Sequence, residues 1–158
     1  MKTAAHSMNH VLVRLFNDIL DIEERALTMG DFADASVREM HVIEAVGTAG
    51  EENSMSAVAA RLKITVGSLT VAVNTLERKG YLVRERALDD KRVVRVRLTP
   101  KGEAANQHHA RFHRQMVSEV QRALPSEQLS ALADALDRLT AFFEQYMERE
   151  YGVDEMKE

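Results

Sequence analysis

In a chain whose other apolar residues recur at helical spacing, Val94, Val96 and Leu98 alternate with Arg95 and Arg97. That two-residue period belongs to a half-buried strand. Asp90-Lys91-Arg92 leads into the strand and Thr99-Pro100 ends it. An earlier apolar run, Tyr81-Leu82-Val83, offers a partner, and the polar loop from Ala87 to Arg92 joins the two with Lys91 and Arg92 near its tip. Two short strands joined by a basic loop make a wing. The predicted class is therefore mainly α with a small β-hairpin wing.

The rest reads as six helices. Val11, Leu12, Leu15, Phe16, Ile19, Leu20 and Ile22 predict a first helix from about Ser7 to Thr28. Ser36-Val37-Arg38-Glu39 is a capping-box pattern and opens a second, which stops at Gly47. Ser54 caps a short third helix ending at Leu62, with Val58, Ala59 and Leu62 inward. After the turn Lys63-Ile64-Thr65, Thr65 caps a fourth helix from Val66 to Lys79, with Leu69, Val73 and Leu76 inward and Gly80 as the stop. Thr99-Pro100 starts a fifth helix that runs to about Ala123. Pro125-Ser126 separates it from a sixth, marked by Leu129, Leu132, Leu136, Leu139, Phe142, Phe143 and Tyr146.

Composition excludes several classes. The 158 residues contain no Cys, which removes disulfides, thiolate catalysis and Cys-ligated zinc. No nucleophile motif, phosphate loop or paired-carboxylate pattern is present, so an enzyme is not expected. The N-terminus carries His6, Asn9 and His10 without the apolar segment of a signal peptide, and no apolar run reaches membrane-spanning length. A cytoplasmic protein with no membrane partner is expected.

The net charge of −4 hides a segregation. From Arg61 to Gly102 eleven basic residues face four acidic ones, a local charge of +7, and the remainder carries −11. A basic segment within an acidic frame predicts a localised site for a polyanion. The short third helix, three-residue turn and fourth helix have the lengths of a helix-turn-helix. In that motif the second helix enters the major groove of double-stranded DNA and its N-terminal residues meet base edges. The expected DNA-binding residues are Ser54 at the first cap, then Thr65, Val66, Gly67, Ser68, Thr70, Val71 and Asn74 on the outward face. Small side chains let the helix sit deep, hydroxyls bond bases or phosphates, and Val66 or Val71 meets a thymine methyl. Asn74 serves a base or a phosphate. Arg84 at the wing root reaches the backbone, and Lys91 and Arg92 reach the adjacent minor groove. Asp90 pairs with an arginine and orients it. An interaction module that binds protein rather than DNA is the alternative of another class.

Leu76-Glu77-Arg78-Lys79-Gly80-Tyr81-Leu82-Val83-Arg84, Asp90-Lys91-Arg92 and Leu98-Thr99-Pro100-Lys101-Gly102 resemble the MarR family of winged-helix transcription regulators. The resemblance covers nearly the whole chain. It implies one six-helix chain, 1–158, with a winged helix-turn-helix lobe over 36–99 and a dimerisation region from 1–35 and 100–158. It also implies a repressor that binds a palindromic operator as a homodimer. Asp90, Arg92 and Arg84 match the family's wing aspartate, wing arginine and wing-root arginine. The apolar surfaces of the first and sixth helices agree, since they exceed what one chain needs to bury.

Within the family the chain is similar to the fatty-acid-biosynthesis repressor branch. The similar segments are Arg38-Glu39-Met40-His41-Val42-Ile43-Glu44-Ala45-Val46-Gly47, Thr65-Val66-Gly67-Ser68-Leu69-Thr70 and His109-Ala110-Arg111-Phe112-His113-Arg114-Gln115-Met116-Val117. This implies acyl chains on acyl carrier protein as effector, with Leu15, Phe16, Ile19, Met40 and Phe112 either forming an acyl tunnel or serving as ordinary core. No bound cofactor is expected. Zinc is the alternative effector: His109 and His113 lie four apart on one helix, which is ligand spacing, and His41 with Glu23 and Glu24 late in the first helix are the further candidates.

Overall fold

The computed structural model describes residues 2–50, 52–86 and 93–151. Asp90, Lys91 and Arg92 lie outside them, as does the rest of the loop between the strands. The described elements are α1 (Lys2–Thr28), α2 (Val37–Thr48), α3 (Met55–Arg61), α4 (Val66–Arg78), β1 (Leu82–Arg86), β2 (Val94–Leu98), α5 (Pro100–Ala123) and α6 (Ser126–Tyr151). This is the expected mainly α fold with one hairpin. The chain divides into two compact units, residues 1–112 and 113–158.

Local chemistry sets most of the boundaries. The Ser36 hydroxyl accepts from the Glu39 amide at 3.3 Å, and the Ser36 amide donates to Glu39 Oε2 at 2.8 Å. This reciprocal capping box opens α2. Ser54 accepts from the Ala57 amide at 3.2 Å and Thr65 from the Ser68 amide at 3.1 Å, which opens α3 and α4. Each such cap is worth about 1 kcal/mol. Thr99 accepts from the Gly102 amide at 3.1 Å and opens α5. Gly80 stops α4 with φ +78°, a conformation that only glycine adopts without strain. Four helices differ from expectation: α1 begins five residues before Ser7, α2 runs one residue past Gly47, and α3 and α4 end one residue before Leu62 and Lys79.

The core of the first unit gathers Met40 and Ile43 from α2, Val58 from α3, Leu69, Val73 and Leu76 from α4, and Val96 from β2, all fully buried. The spacing of four and three along α4 turns one stripe inward and leaves the opposite face open. Tyr81 is fully buried as well, just ahead of β1. Phe32 packs beside its ring at 6.3 Å, and the Lys101 ammonium sits 4.0 Å from the ring centre.

β1 and β2 are antiparallel, with Leu82 opposite Leu98, Arg84 opposite Val96 and Arg86 opposite Val94. Asn53 and Ser54 lie against β2: the Val96 amide donates to the Asn53 carbonyl at 2.9 Å, and Ser54 bridges to Arg95. The start of α3 is thereby tied to the wing.

The second unit holds the end of α5 and all of α6. No described side chain of α6 is buried, and Leu136, Phe142 and Phe143 are about half exposed, at 49%, 55% and 48%. No single described helix is long and apolar enough to cross a membrane.

Candidate nucleic-acid interface

α3 and α4 are bent 105° to one another across Leu62–Thr65. This lies within the range of a helix-turn-helix. The turn contains Lys63 in the left-handed region at φ 54°. The Leu62 and Lys63 amides close it on the Val58 and Ala60 carbonyls at 3.1 and 3.0 Å.

The outward face of α4 is as the sequence arranges it. Thr65, Val66, Gly67, Ser68, Val71 and Asn74 are exposed, and Thr70 is half-buried. Their polar atoms are already partly engaged. Thr65 donates its hydroxyl to Ser68 Oγ at 3.0 Å, and Thr70 donates to the Val66 carbonyl at 2.8 Å. Thr70 thus faces outward with acceptor lone pairs, its one hydrogen spent on its own helix. A Cβ added to Gly67 would find only Thr65 Oγ1, at 3.8 Å, so this glycine keeps the first turn of α4 low without any packing need. Ser54 is half-buried at its cap and stands off this face.

Arg84 is placed differently from a freely extended backbone contact. From β1 its side chain crosses to α4. Nη1 donates to Glu77 Oε2 at 2.5 Å and to Asn74 Oδ1 at 2.7 Å, and Nη2 donates to the Thr70 carbonyl at 3.3 Å. Glu77 also accepts from the Arg84 amide at 3.0 Å. The sequence reading missed Glu77. Its only signal was a glutamate three residues beyond Asn74 on a helix whose partner strand carries arginine.

A second polar cluster joins α2, α4, α5 and the α1–α2 loop. Lys79 Nζ donates to both carboxylate oxygens of Glu39 at 2.8 Å and to the Asp34 carbonyl at 2.5 Å. The Tyr81 hydroxyl donates to Asp34 Oδ1 at 2.5 Å, and Lys101 reaches Asp34 Oδ2 at 3.2 Å. The Tyr81 bond, with Lys101 adding to it, holds the Asp34 carboxyl below its ordinary range. At Glu39 burial pushes the pKa up, but bonds from Lys79 and Ser36 outweigh it and the net shift is downward. Burial, then Asp34, pushes the Tyr81 phenol far up, so it stays neutral.

In the first unit, His41 and His109 converge on Glu23. His41 Nε2 lies 3.2 Å and His109 Nε2 3.4 Å from Glu23 Oε1, with Glu44 Oε2 3.6 Å from His109. Glu23 is 3% exposed and His109 1%. Of the two candidate glutamates, Glu23 joins the histidines, while Glu24 lines a surface cleft with Leu20, Arg38 and Lys79. Ile19, Glu23 and Leu27, spaced four apart, mark the inner face of α1. His113 follows His109 by one turn of α5. Of the residues offered either as an acyl tunnel or as ordinary core, Met40 is fully buried, while Leu15 and Phe16 are 48% and 57% exposed.

A bent helix pair with an open, small-residue face, flanked by a hairpin, defines a winged helix-turn-helix. A model of the MarR family matches residues 33–93, which span this helix pair and most of the wing. Streptococcus pneumoniae FabT, solved in complex with DNA, is 36% identical and superposes with a TM-score of 0.82, covering 89% of this chain and 98% of that one. The chain belongs to the MarR family. It is also 32% identical over 78 residues to the HTH-type transcriptional regulator SarZ of Staphylococcus saprophyticus, covering 49% of this chain. To the uncharacterised HTH-type transcriptional regulator YkoM of Bacillus subtilis it is 32% identical over 103 residues, 62% of this chain. It spans 53% and 61% of the lengths of those two relatives.

Proposed function

We propose that this chain is a sequence-specific DNA-binding transcription regulator, acting in the cytoplasm as a repressor that binds a palindromic operator as a homodimer. The observation that carries the reading is the open face of α4, Thr65 to Asn74, lying within the segment of charge +7 and flanked by the wing. The likeness to FabT, itself solved on DNA, supports it. The exposed apolar side chains of α1 and α6 support the homodimer, since a lone soluble chain rarely leaves so much apolar surface bare. A duplex selected from a random pool, titrated with the chain at rising salt, tests the reading. Several phosphate contacts per half-site make affinity fall steeply with salt. A shallow response, or no selected sequence, would instead indicate a protein-interaction module.

The same likeness favours control of fatty-acid synthesis, with acyl groups on acyl carrier protein tightening the hold on DNA. A specific observation supports a second effector. Glu23, His41 and His109 bring one carboxylate oxygen and two imidazole nitrogens within 4.8 Å of one another. Their 3.2 and 3.4 Å separations suit the edges of a tetrahedron of zinc ligands, about 3.3 Å for bonds near 2.05 Å. His113 is the fourth candidate by its spacing. Zinc there would tie α1, α2 and α5 together. One mobility-shift series separates the two: a response to long-chain acyl carrier protein alone supports the first, and a response to zinc alone, lost in His109→Ala, the second.

A further inference from the structure

The sequence left open what Asn74 bonds, and the geometry around Arg84 narrows it. Arg84 is half-buried and held on three sides, by Glu77, by Asn74 Oδ1 and by the Thr70 carbonyl. A guanidinium carries only donors, so the atom of Asn74 that faces it must be the amide oxygen. That fixes the amide without ambiguity: its NH2 group points away from Arg84, and Asn74 is on the exposed face of α4.

We infer that Glu77, Arg84 and Asn74 form a relay that presets how the third turn of α4 meets DNA. Glu77 holds Arg84, and Arg84 turns the Asn74 amide so that it reaches the duplex as a hydrogen-bond donor. The inference rests on the reading of α4 as the groove helix. Glu77 and Arg84 are positioning residues, and Asn74 is the contacting one. Its target is an acceptor: guanine N7 or O6, adenine N7, thymine O4, or a phosphate oxygen. In a two-bond pairing with adenine the amide oxygen would accept from adenine on its second lone pair while still serving Arg84.

Glu77 gives the relay a test of sign. A carboxylate near DNA repels phosphate, so Coulomb attraction alone makes Glu77→Gln bind more tightly. The relay requires the reverse. Operator affinity is measured at one salt concentration, on a duplex that the unaltered chain selects from a random pool. The variants are Glu77→Gln, Arg84→Ala, Arg84→Lys, Asn74→Ala and the Arg84→Ala/Asn74→Ala pair, each with a thermal melt.

Glu77→Gln and Arg84→Ala should each weaken binding about tenfold, the scale of one charge-assisted bond. Arg84→Lys keeps the charge but loses the fork, and should resemble Arg84→Ala. The double variant should bind no worse than Arg84→Ala alone. Repeating the selection with Asn74→Ala identifies the acceptor. A change at one symmetric pair of positions means a base, and an unchanged preference with uniformly weaker binding means a phosphate.

Tighter binding by Glu77→Gln, full affinity in Arg84→Lys, or losses that multiply in the double variant would each overturn the relay. If Glu77→Gln does not fold, Arg84→Lys and the double variant decide alone. If the unaltered chain selects no sequence, the reading of α4 fails. If it selects one and the losses multiply, only the relay fails.

Discussion

The ammonium of Lys79 lies 2.8 Å from both carboxylate oxygens of Glu39 and so joins the end of α4 to the start of α2. Glu39 is also half of the capping box, so one side chain closes a helix end and anchors another helix. Asp34 and Glu39 both titrate below their ordinary values of 3.8 and 4.5. A carboxyl with a depressed folded pKa contributes stability above its unfolded pKa and loses it as pH falls through the folded value. Denaturant melts at pH 7, 4 and 3 should therefore show stability falling below about pH 4.5. Glu39→Gln should be less stable at pH 7 and show a shallower acid decline; an unchanged slope would mean that other carboxyls dominate.

Gly102 sits under the wing root. A Cβ there would lie 2.1 Å from the Tyr81 carbonyl oxygen, and backbone cannot yield as a side chain does. Gly102→Ala should cost about 1–3 kcal/mol, as other overpacked sites do. A drop in midpoint on chemical denaturation measures it. Wild-type stability would show that α5 can shift away freely.

Gly67 makes the opposite case. It lies in the first turn of α4 with open space around it. Gly67→Ala should raise stability by a few tenths to about 1 kcal/mol, because alanine is the better helix former. It should still weaken operator binding, since the added methyl stands on the face proposed to meet DNA. Calorimetry and a mobility shift on the same variant would separate the two effects.

Lys63 occupies a left-handed conformation that costs a side-chain-bearing residue about 1–2 kcal/mol. Lys63→Gly should relieve part of that strain and raise the melting temperature. If the melting temperature falls, the lysine side chain secures the turn by more than its strain costs.

Much of this was readable along the chain because it is local. The caps at Ser36, Ser54, Thr65 and Thr99 each depend on residues within three positions, and the alternation of Val94, Val96 and Leu98 fixes the inward face of β2 directly. The open face of α4 follows from Leu69, Val73 and Leu76 being its inner one. What escaped depends on distant partners. Arg84 looked available to phosphate until its strand brought it beside Asn74 and Glu77. Glu23 and Glu24 are chemically alike, and only the packing face of α1 separates them. Tyr81 looked like the first residue of a strand and instead plugs the core, bound to Asp34 from far earlier in the chain.

No described side chain of α6 is buried, although its apolar stripe runs most of its length. If the homodimer proposed above is what covers this helix, folding and assembly become one equilibrium. The melting point then climbs with the amount of protein in the tube. On that same proposal the number of paired copies rises faster than the number of chains made, which gives DNA binding a threshold in protein level.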